Sequence, residues 1–194
     1  MPRTIEKDDL LLLIYSAFSG KISGRTKLQK VIYFIGCKLD LDNMYNFNKL
    51  GYGAHYFGPY SGEMDNLNAQ LDALGFLRES RCHTGRLDEK GFEICRFDYH
   101  LTKDGESLAK KAQKNFPDHW KAISSAAKII NDSNLNYVEL SIAAKAYFLL
   151  NKKGGKATVE QIVKAARPFG WEIEPEAVER VSDFLVALGL ISKN

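Results

Sequence analysis

Cysteine and long apolar runs are scarce in this sequence of 194 residues. The three cysteines, Cys37, Cys82 and Cys95, are odd in number and do not form the framework of a disulfide-stapled secreted domain. The apolar run Leu10 to Tyr15 is far shorter than the roughly 20 residues of a membrane-spanning helix, and the first nine residues carry charges of both signs. We therefore expect a reduced, cytoplasmic protein without a signal peptide or a membrane span.

Catalytic signatures are also missing. The sequence has no P-loop, no HExxH, no GxSxG and no dinucleotide fingerprint, and the pair Gly51 and Gly53 lacks the third glycine of the last of these. A cysteine and a histidine could still meet in the fold as a nucleophile pair, but no spacing favours it. The sequence predicts a protein that is not an enzyme and that needs no cofactor.

The composition is that of an ordinary ordered domain. Hydrophobic residues make up 45% and charged residues 26% of the chain, which is too apolar for general disorder. The net charge is only +3, so a nucleic-acid site would have to come from a local cluster of basic residues.

Apolar spacing in the first half predicts three helices. The first covers about 5–18, and the second covers 25–38 with apolar residues at Leu28, Val31, Ile32, Ile35 and Leu39. Residues 40–60 are rich in Tyr, Phe, Asn and Gly and predict an irregular connection. The third helix begins after Ser61 as N-cap and ends at Gly75. Its predicted buried stripe is Met64, Leu67, Leu71 and Leu74.

The segment after Gly75 predicts a β-hairpin with a charged turn at 85–91. Alternation changes register along the second strand, which predicts a bulge near Cys95 and Arg96. Three helices followed by a hairpin are the topology of a winged-helix module, assigned here to residues 1–115.

The second half predicts only helices. A connecting helix and linker occupy 116–136, and a helical, helix-turn-helix-like unit occupies 137–194. The predicted helices cover 103–114, 118–131, 137–151, 159–166 and 175–188, the fourth behind a Thr158–Gln161 capping box. The predicted fold is therefore mainly α with a small β-hairpin wing, and the second unit is a candidate second helix-turn-helix.

The two halves contain a similar heptapeptide. Leu71-Asp72-Ala73-Leu74-Gly75-Phe76-Leu77 matches Leu185-Val186-Ala187-Leu188-Gly189-Leu190-Ile191 in residue type at nearly every position. Either an internal duplication or two helices that end with the same left-handed glycine explains the match, and the second explanation is slightly favoured.

Four blocks carry a resemblance to a known family. They are Gly24-Arg25-Thr26-Lys27-Leu28-Gln29-Lys30-Val31-Ile32-Tyr33-Phe34, Phe57-Gly58-Pro59-Tyr60-Ser61-x-Glu63, Leu74-Gly75-Phe76, and Tyr99-His100-Leu101-Thr102-x-x-Gly105. Together they resemble the YwgA-like proteins and the wider Panacea group of SocA-like antitoxin domains. The resemblance implies a winged-helix-like fold and a role in regulation, toxin neutralisation or an associated interaction, and it brings no established catalytic residues to carry over. Phe57 stands where the commoner form of the motif has tyrosine.

Charge argues against insertion of the third helix into DNA. No lysine or arginine occurs between Leu50 and Leu77, and the helix carries Glu63, Asp65 and Asp72, which phosphates would repel. A dimeric DNA-binding regulator is the alternative hypothesis, in which the basic second helix and the wing hold the phosphate backbone. Its predicted contacts are Arg25, Lys27, Lys30, Arg81, Arg86 and Lys90.

An aromatic segment is the stronger candidate for a binding surface. Tyrosine and phenylalanine make large contacts at small entropic cost, although burial statistics place most such rings in the core. The leading hypothesis is a regulatory or protein-interaction module, as monomer or homodimer, whose partner is a toxin or a regulatory protein. The predicted protein contacts are Tyr52, His55, Tyr56, Phe57, Tyr60, Glu63, Asn66 and Gln70.

One set of residues could hold a metal if the hairpin brought them together. Cys82 and His83 lie on one predicted strand, and Cys95 and His100 on the other. Their spacing matches no standard zinc pattern, in which paired ligands lie roughly two to four residues apart. We therefore predict no metal site.

Overall fold

The structure, a computed structural model, describes residues 4–87 and 93–192. Within these ranges the fold is mainly helical with one small antiparallel sheet, as predicted from the sequence. The first half contains α1 (Lys7–Ala17), β1 (Lys21–Ser23), α2 (Arg25–Leu41), a 3-10 turn (Phe47–Leu50), α3 (Gly62–Ala73), β2 (Leu77–Leu87) and β3 (Glu93–Leu101). The second half contains α4 (Lys103–Asn115), α5 (Pro117–Asp132), α6 (Tyr137–Lys152), α7 (Val159–Ala166), a 3-10 turn (Arg167–Phe169) and α8 (Pro175–Ala187).

Capping chemistry sets the predicted helix ends. The Ser61 side chain accepts a hydrogen bond from the Met64 amide at 3.1 Å at the start of α3, and Thr158 and Gln161 form both bonds of the capping box of α7. The buried stripe of α2 is confirmed at all five positions. On α3, however, Leu74 is 66% exposed, because it is the last residue before the chain turns away from the core.

The sheet has three strands in the order β1-β3-β2, where the sequence predicted two. The missed strand is β1, whose Ile22 pairs with Tyr99 and is buried. Three residues are too few to show an alternating pattern in the sequence.

The register irregularity lies on the other strand from the one predicted. Pairing runs regularly from Leu77–Leu101 to His83–Cys95 and then shifts to Leu87–Glu93, so the extra residues belong to β2. Cys95 and Arg96 themselves remain in register, and the predicted bulge at that position is wrong. A bulge in either strand changes which face of the sheet the following residues occupy. The alternation along one strand therefore did not show whether the extra residues lie in that strand or in its partner.

One main core contains residues from both halves of the chain. Phe34 of α2 packs edge-on against Phe184 of α8 with ring centroids 5.1 Å apart, and Tyr33 contacts Tyr147 of α6 at 6.4 Å. A smaller cluster around Trp171 and Ile162 joins α6, α7 and α8. The main core therefore crosses the predicted limits at 115 and 136, and the division into three regions stays a prediction.

The repeated heptapeptide is accounted for by helix termination. Gly75 and Gly189 both have positive φ, and in each case the next residue donates its amide to a carbonyl five positions earlier: Phe76 to Leu71, and Leu190 to Leu185, both at 2.9 Å. This is the Schellman arrangement, which favours glycine at the left-handed position and an apolar residue after it.

Across the described residues, every helix is too short or too polar to cross a lipid bilayer.

Candidate functional site: the loop between α2 and α3

The first two sequence blocks of the family resemblance meet in space. The Gln29 side chain accepts a hydrogen bond from the Ser61 amide at 3.0 Å and donates to the Ser61 carbonyl at 3.0 Å. Next along α2, the Lys30 ammonium donates to the Pro59 carbonyl at 2.7 Å. All four residues are buried. The two blocks therefore form one structural unit, in which α2 holds the loop that precedes α3.

Further contacts fix the rest of this loop. Gly53 and Tyr60 exchange two backbone hydrogen bonds of 2.9 Å, which close residues 53–60 into a narrow loop. The His55 carbonyl accepts from the Gly58 amide at 2.9 Å and from the Trp171 indole N–H at 2.8 Å. Trp171 lies 116 residues further along the chain, so the second half of the protein helps to hold the loop.

Two aromatic rings project from the tip of the loop. Tyr56 is 71% and Phe57 54% exposed, and the rings contact each other edge-on at 4.9 Å. The loop is held by hydrogen bonds on both sides while its two rings are exposed. A partner could therefore bury their apolar area without the entropic cost of ordering a flexible segment.

Most of the predicted protein contacts lie at the surface. His55, Tyr56, Phe57, Glu63, Asn66 and Gln70 are exposed. Tyr52 is not: its hydroxyl donates to the Gln29 carbonyl at 2.8 Å and its ring stacks on Phe47. Tyr52 therefore holds the loop from below and is removed from the candidate contacts. Tyr60 is partly buried, and its hydroxyl donates to the Asp65 carboxylate at 2.7 Å, which raises the Tyr60 pKa.

A shallow pocket of about 330 Å³ opens beside the aromatic tip. Its lining consists of Arg25, Thr26, Gln29, Lys30, His55, Phe57, Tyr60 and Asp65. Lys30 is only 1% exposed, and burial together with the nearby charge of Lys145 lowers its pKa to about 7. The pocket combines basic and aromatic groups with one carboxylate, and that carboxylate already accepts hydrogen bonds from Gln29 and Tyr60.

The residues predicted to hold a phosphate backbone do not form one exposed basic face. Lys30, predicted as a phosphate contact, is 1% exposed and donates to the Pro59 carbonyl, so it is not part of an exposed basic face on which a duplex could lie. Arg25 is exposed, but its guanidinium lies over the Phe97 ring at 4.6 Å and 3.6 Å from the Glu79 carboxylate. Arg81 and Arg86 are exposed, Lys27 is partly buried, and Lys90 lies outside the described residues.

The four predicted metal-ligand candidates do not converge. His83 pairs with Cys95 across the hairpin, whereas Cys82 pairs with Arg96, so the strand alternation directs Cys82 and His83 to opposite faces. His100 shares the parity of Arg96 and not of Cys95. His83, Cys95 and the unpredicted Glu93 do gather, with one ligand atom from each within 4.8 Å of the others. Glu93 already accepts a 2.6 Å contact from His83, and this lowers the Glu93 pKa.

Two residues that shape the site gave no signal in the sequence. Lys145 and Trp171 lie in the second half of the chain, in segments that predict ordinary amphipathic helix and turn. Only the packing of α6 and the turn before α8 against the loop brings them to it. No local pattern could have revealed them.

The fold and the loop define a mainly helical protein with a small antiparallel sheet, in which two separated sequence blocks join around one exposed aromatic tip. YwgA of Bacillus subtilis strain 168, an uncharacterized protein, is 31% identical over 144 residues, which are 73% of this chain and 75% of YwgA. The chain belongs to the YwgA family. No protein-family model matches it.

Proposed function

We propose that this chain is a non-enzymatic regulatory module of winged-helix type that binds a protein partner, in the manner that the resemblance to antitoxin domains implies. The partner binds the loop tip and the outer side of α3, which we call the contact surface. It consists of His55, Tyr56, Phe57, Glu63, Asn66 and Gln70.

The observation that carries the proposal is the exposure of Tyr56 and Phe57 on a rigid loop. Exposed aromatic residues that are already ordered make efficient anchors, because binding buries their area without first restricting their backbone. Asn66 and Gln70 of α3 supply polar groups for the rim of the interface.

The charge around the contact surface favours a protein over DNA. From 50 to 77 the chain has acidic residues and no lysine or arginine. Contacts of Lys and Arg side chains with DNA phosphates supply most of the affinity of a DNA-binding protein. Of the residues predicted for such contacts, Lys30 is buried and Arg25 is paired with Glu79. DNA binding remains the second hypothesis, through Lys27, Arg81, Arg86 and Lys90.

Site-specific photocrosslinking tests the proposal. A photoreactive phenylalanine analogue at position 57, in the chain expressed in its native host, is expected to give one discrete covalent adduct with another protein. The matched control places the analogue at Leu87, which lies on the hairpin and is somewhat more accessible, at 66% exposure against 54% for Phe57. Absence of an adduct at position 57, or the same adducts at both positions, would contradict the proposal.

With the purified partner, affinity can then be measured directly. Tyr56→Ala and Phe57→Ala are each expected to weaken binding by about tenfold or more, the loss typical of an aromatic anchor. A duplex-DNA titration at two salt concentrations tests the second hypothesis. Micromolar binding with a steep salt dependence would favour DNA, whereas no binding at low salt would eliminate it.

A further inference from the structure

The pocket beside the loop and the contact surface share a rim. His55 and Phe57 belong to both, and Lys30 lies at the inner end of the pocket. A partner that covers Phe57 would therefore also cover the mouth of the pocket.

Two lysines flank the loop at this point. Gly58 lies between their side chains: a Cβ atom built on Gly58 would be 3.0 Å from Lys145 Cγ and 3.6 Å from Lys30 Cε. Lys30 is buried, and the Pro59 carbonyl is its single acceptor within residues 4–87 and 93–192. Lys145 is half-buried with its ammonium over the Trp171 ring at 5.5 Å. Among the described carboxylates, none forms an ion pair with either lysine.

These two lysines therefore lack a counter-charge among the described residues. Burying an ammonium without a counter-charge is costly, and a second ammonium nearby adds to the cost. The Pro59 carbonyl uses one of the three donors of Lys30, which leaves two for another acceptor.

The charged groups around the pocket leave one excess positive charge when Lys30 is protonated. Arg25 stands at the rim, 3.6 Å from the Glu79 carboxylate, and Asp65 is the single carboxylate of the lining, with its two oxygens accepting hydrogen bonds from Gln29 at 2.9 Å and Tyr60 at 2.7 Å. These two carboxylates balance two of the three cations Arg25, Lys30 and Lys145. The volume of about 330 Å³ is at the lower end for ligand pockets and holds a carboxylate on a short stem.

We propose that this pocket binds a carboxylate group, which pairs with Lys30 and Arg25 and which the protein partner supplies from an acidic side chain or its chain terminus. The source of the carboxylate rests on the proposed function, whereas the affinity of the pocket for a carboxylate does not. The site adds a specific charged contact to the apolar anchor at Phe57.

The proposal has a consequence for pH. The groups that face Lys30 are Lys145 of α6, Arg25 of α2, Asp65 of α3, and His55 and Tyr60 of the loop. A bound carboxylate favours the charged form of Lys30 and raises its pKa from about 7. Binding is therefore tightest below pH 7, where Lys30 is already protonated, and weakens by roughly tenfold between pH 6.5 and pH 8.5.

Nuclear magnetic resonance on the full chain with isotopically labelled lysine tests this. Acetate, glutarate and a blocked glutamyl peptide are added in turn, with chloride at the same ionic strength as reference. The expected result is a saturable shift of the Lys30 side-chain signal with each carboxylate and not with chloride, weaker at pH 8.5 than at pH 6.5. A linear shift that chloride reproduces would overturn the proposal.

Matched variants identify the contacts. Arg25→Gln is expected to weaken carboxylate binding several-fold, whereas Lys38→Gln, on the same helix but outside the pocket, is expected to leave it unchanged. Lys30→Met removes the second proposed contact. If that variant does not fold, Arg25→Gln remains a sufficient test: equal carboxylate affinities of Arg25→Gln and wild type would overturn the pocket as the binding site.

The three carboxylate ligands distinguish a partner protein from a free small acid as the source of the carboxylate. Binding of the glutamyl peptide supports a partner's carboxylate, whereas binding of acetate and glutarate without the peptide would overturn that source and assign the pocket to a free small acid. A Phe57 crosslink that survives while no carboxylate binds would overturn this inference and leave the proposed function intact.

Discussion

The side-chain amide of Gln29 pairs with the backbone of Ser61 in both directions, donating to its carbonyl and accepting from its N–H at 3.0 Å each. A side chain on α2 thus makes the pair of hydrogen bonds that the backbone of a neighbouring strand would make in a sheet, and its partner is 32 positions away in the sequence. Ser61 is in turn the N-cap of α3, so the same contact sets where the loop ends and the helix begins.

Replacing Gln29 with leucine should destabilise the fold by about 1–3 kcal/mol, because the buried Ser61 N–H loses its partner and the Ser61 carbonyl keeps only the longer bond from the Asp65 amide at 3.3 Å. Urea unfolding followed by circular dichroism measures the change. Gln70→Ala, at an exposed position of α3, is the control and should stay within about 0.5 kcal/mol of wild type. A similarly small effect of Gln29→Leu would mean that water replaces the lost bonds.

Gly58→Ala should destabilise the protein by about 1–3 kcal/mol. The residue has φ of +94°, and an added Cβ would press against Lys145 Cγ at 3.0 Å and the Ser141 carbonyl at 3.4 Å. Gly53→Ala is the matched control in the same loop, since its Cβ would meet nothing within 4 Å. Equal unfolding midpoints for the two variants would show that the loop adjusts freely around position 58.

The contribution of Lys30 to stability should depend on pH. Its folded pKa of about 7 lies below the value of about 10.4 for an unfolded lysine, so between these limits the unfolded chain binds the proton and the folded chain does not. Stability therefore rises with pH in this window, by up to about 1.4 kcal/mol per pH unit, and the penalty is full below pH 7.

The unfolding free energy of wild type minus that of Lys30→Met isolates this dependence. The difference should increase from pH 7 to pH 8.5 and be flat from pH 5.5 to pH 6.5. Measurements stop at pH 8.5 because burial raises the pKa of Cys37 and of several tyrosines, which lowers stability at higher pH in both proteins. A difference that does not vary with pH would show that Lys30 keeps its proton when folded.

Trp171→Phe should make the loop of residues 53–60 more mobile while keeping most of the packing around position 171. The variant loses the indole N–H that donates to the His55 carbonyl, at a cost of about 1 kcal/mol, and retains an aromatic ring against Phe169 and Phe148. Amide hydrogen exchange is expected to quicken at residues 54–57. Trp120→Phe is the control, since that partly buried tryptophan packs on the main core, whereas Trp171 belongs to the smaller cluster. Unchanged exchange in Trp171→Phe would show that the contacts to α2 hold the loop alone.

Helices and their ends could be predicted because their causes are local. The stripe of α2 and the caps at Ser61 and Thr158 need only spacing and one polar side chain, and all three are found as predicted. The strand β1 was missed because its three residues acquire their conformation only by pairing with Tyr99 and its neighbours, some 77 positions away.

The candidate site could be predicted only in part. An aromatic segment between two helices indicated a surface, but whether each ring faces the core or the solvent depends on contacts that no local pattern contains. Tyr52 and Phe57 are chemically similar neighbours in the same loop, and one supports α2 while the other is 54% exposed.

The sequence by itself determined the mainly helical fold, the hairpin, the caps and the acidic character of α3, because these follow from periodicity, capping and the local sum of charge. Only the tertiary structure decided that Lys30 is buried, that Gln29 and Ser61 form one unit, and that Trp171 holds the loop from the other half of the chain. Each of these depends on the distance between groups far apart in sequence, and packing of the whole core sets that distance.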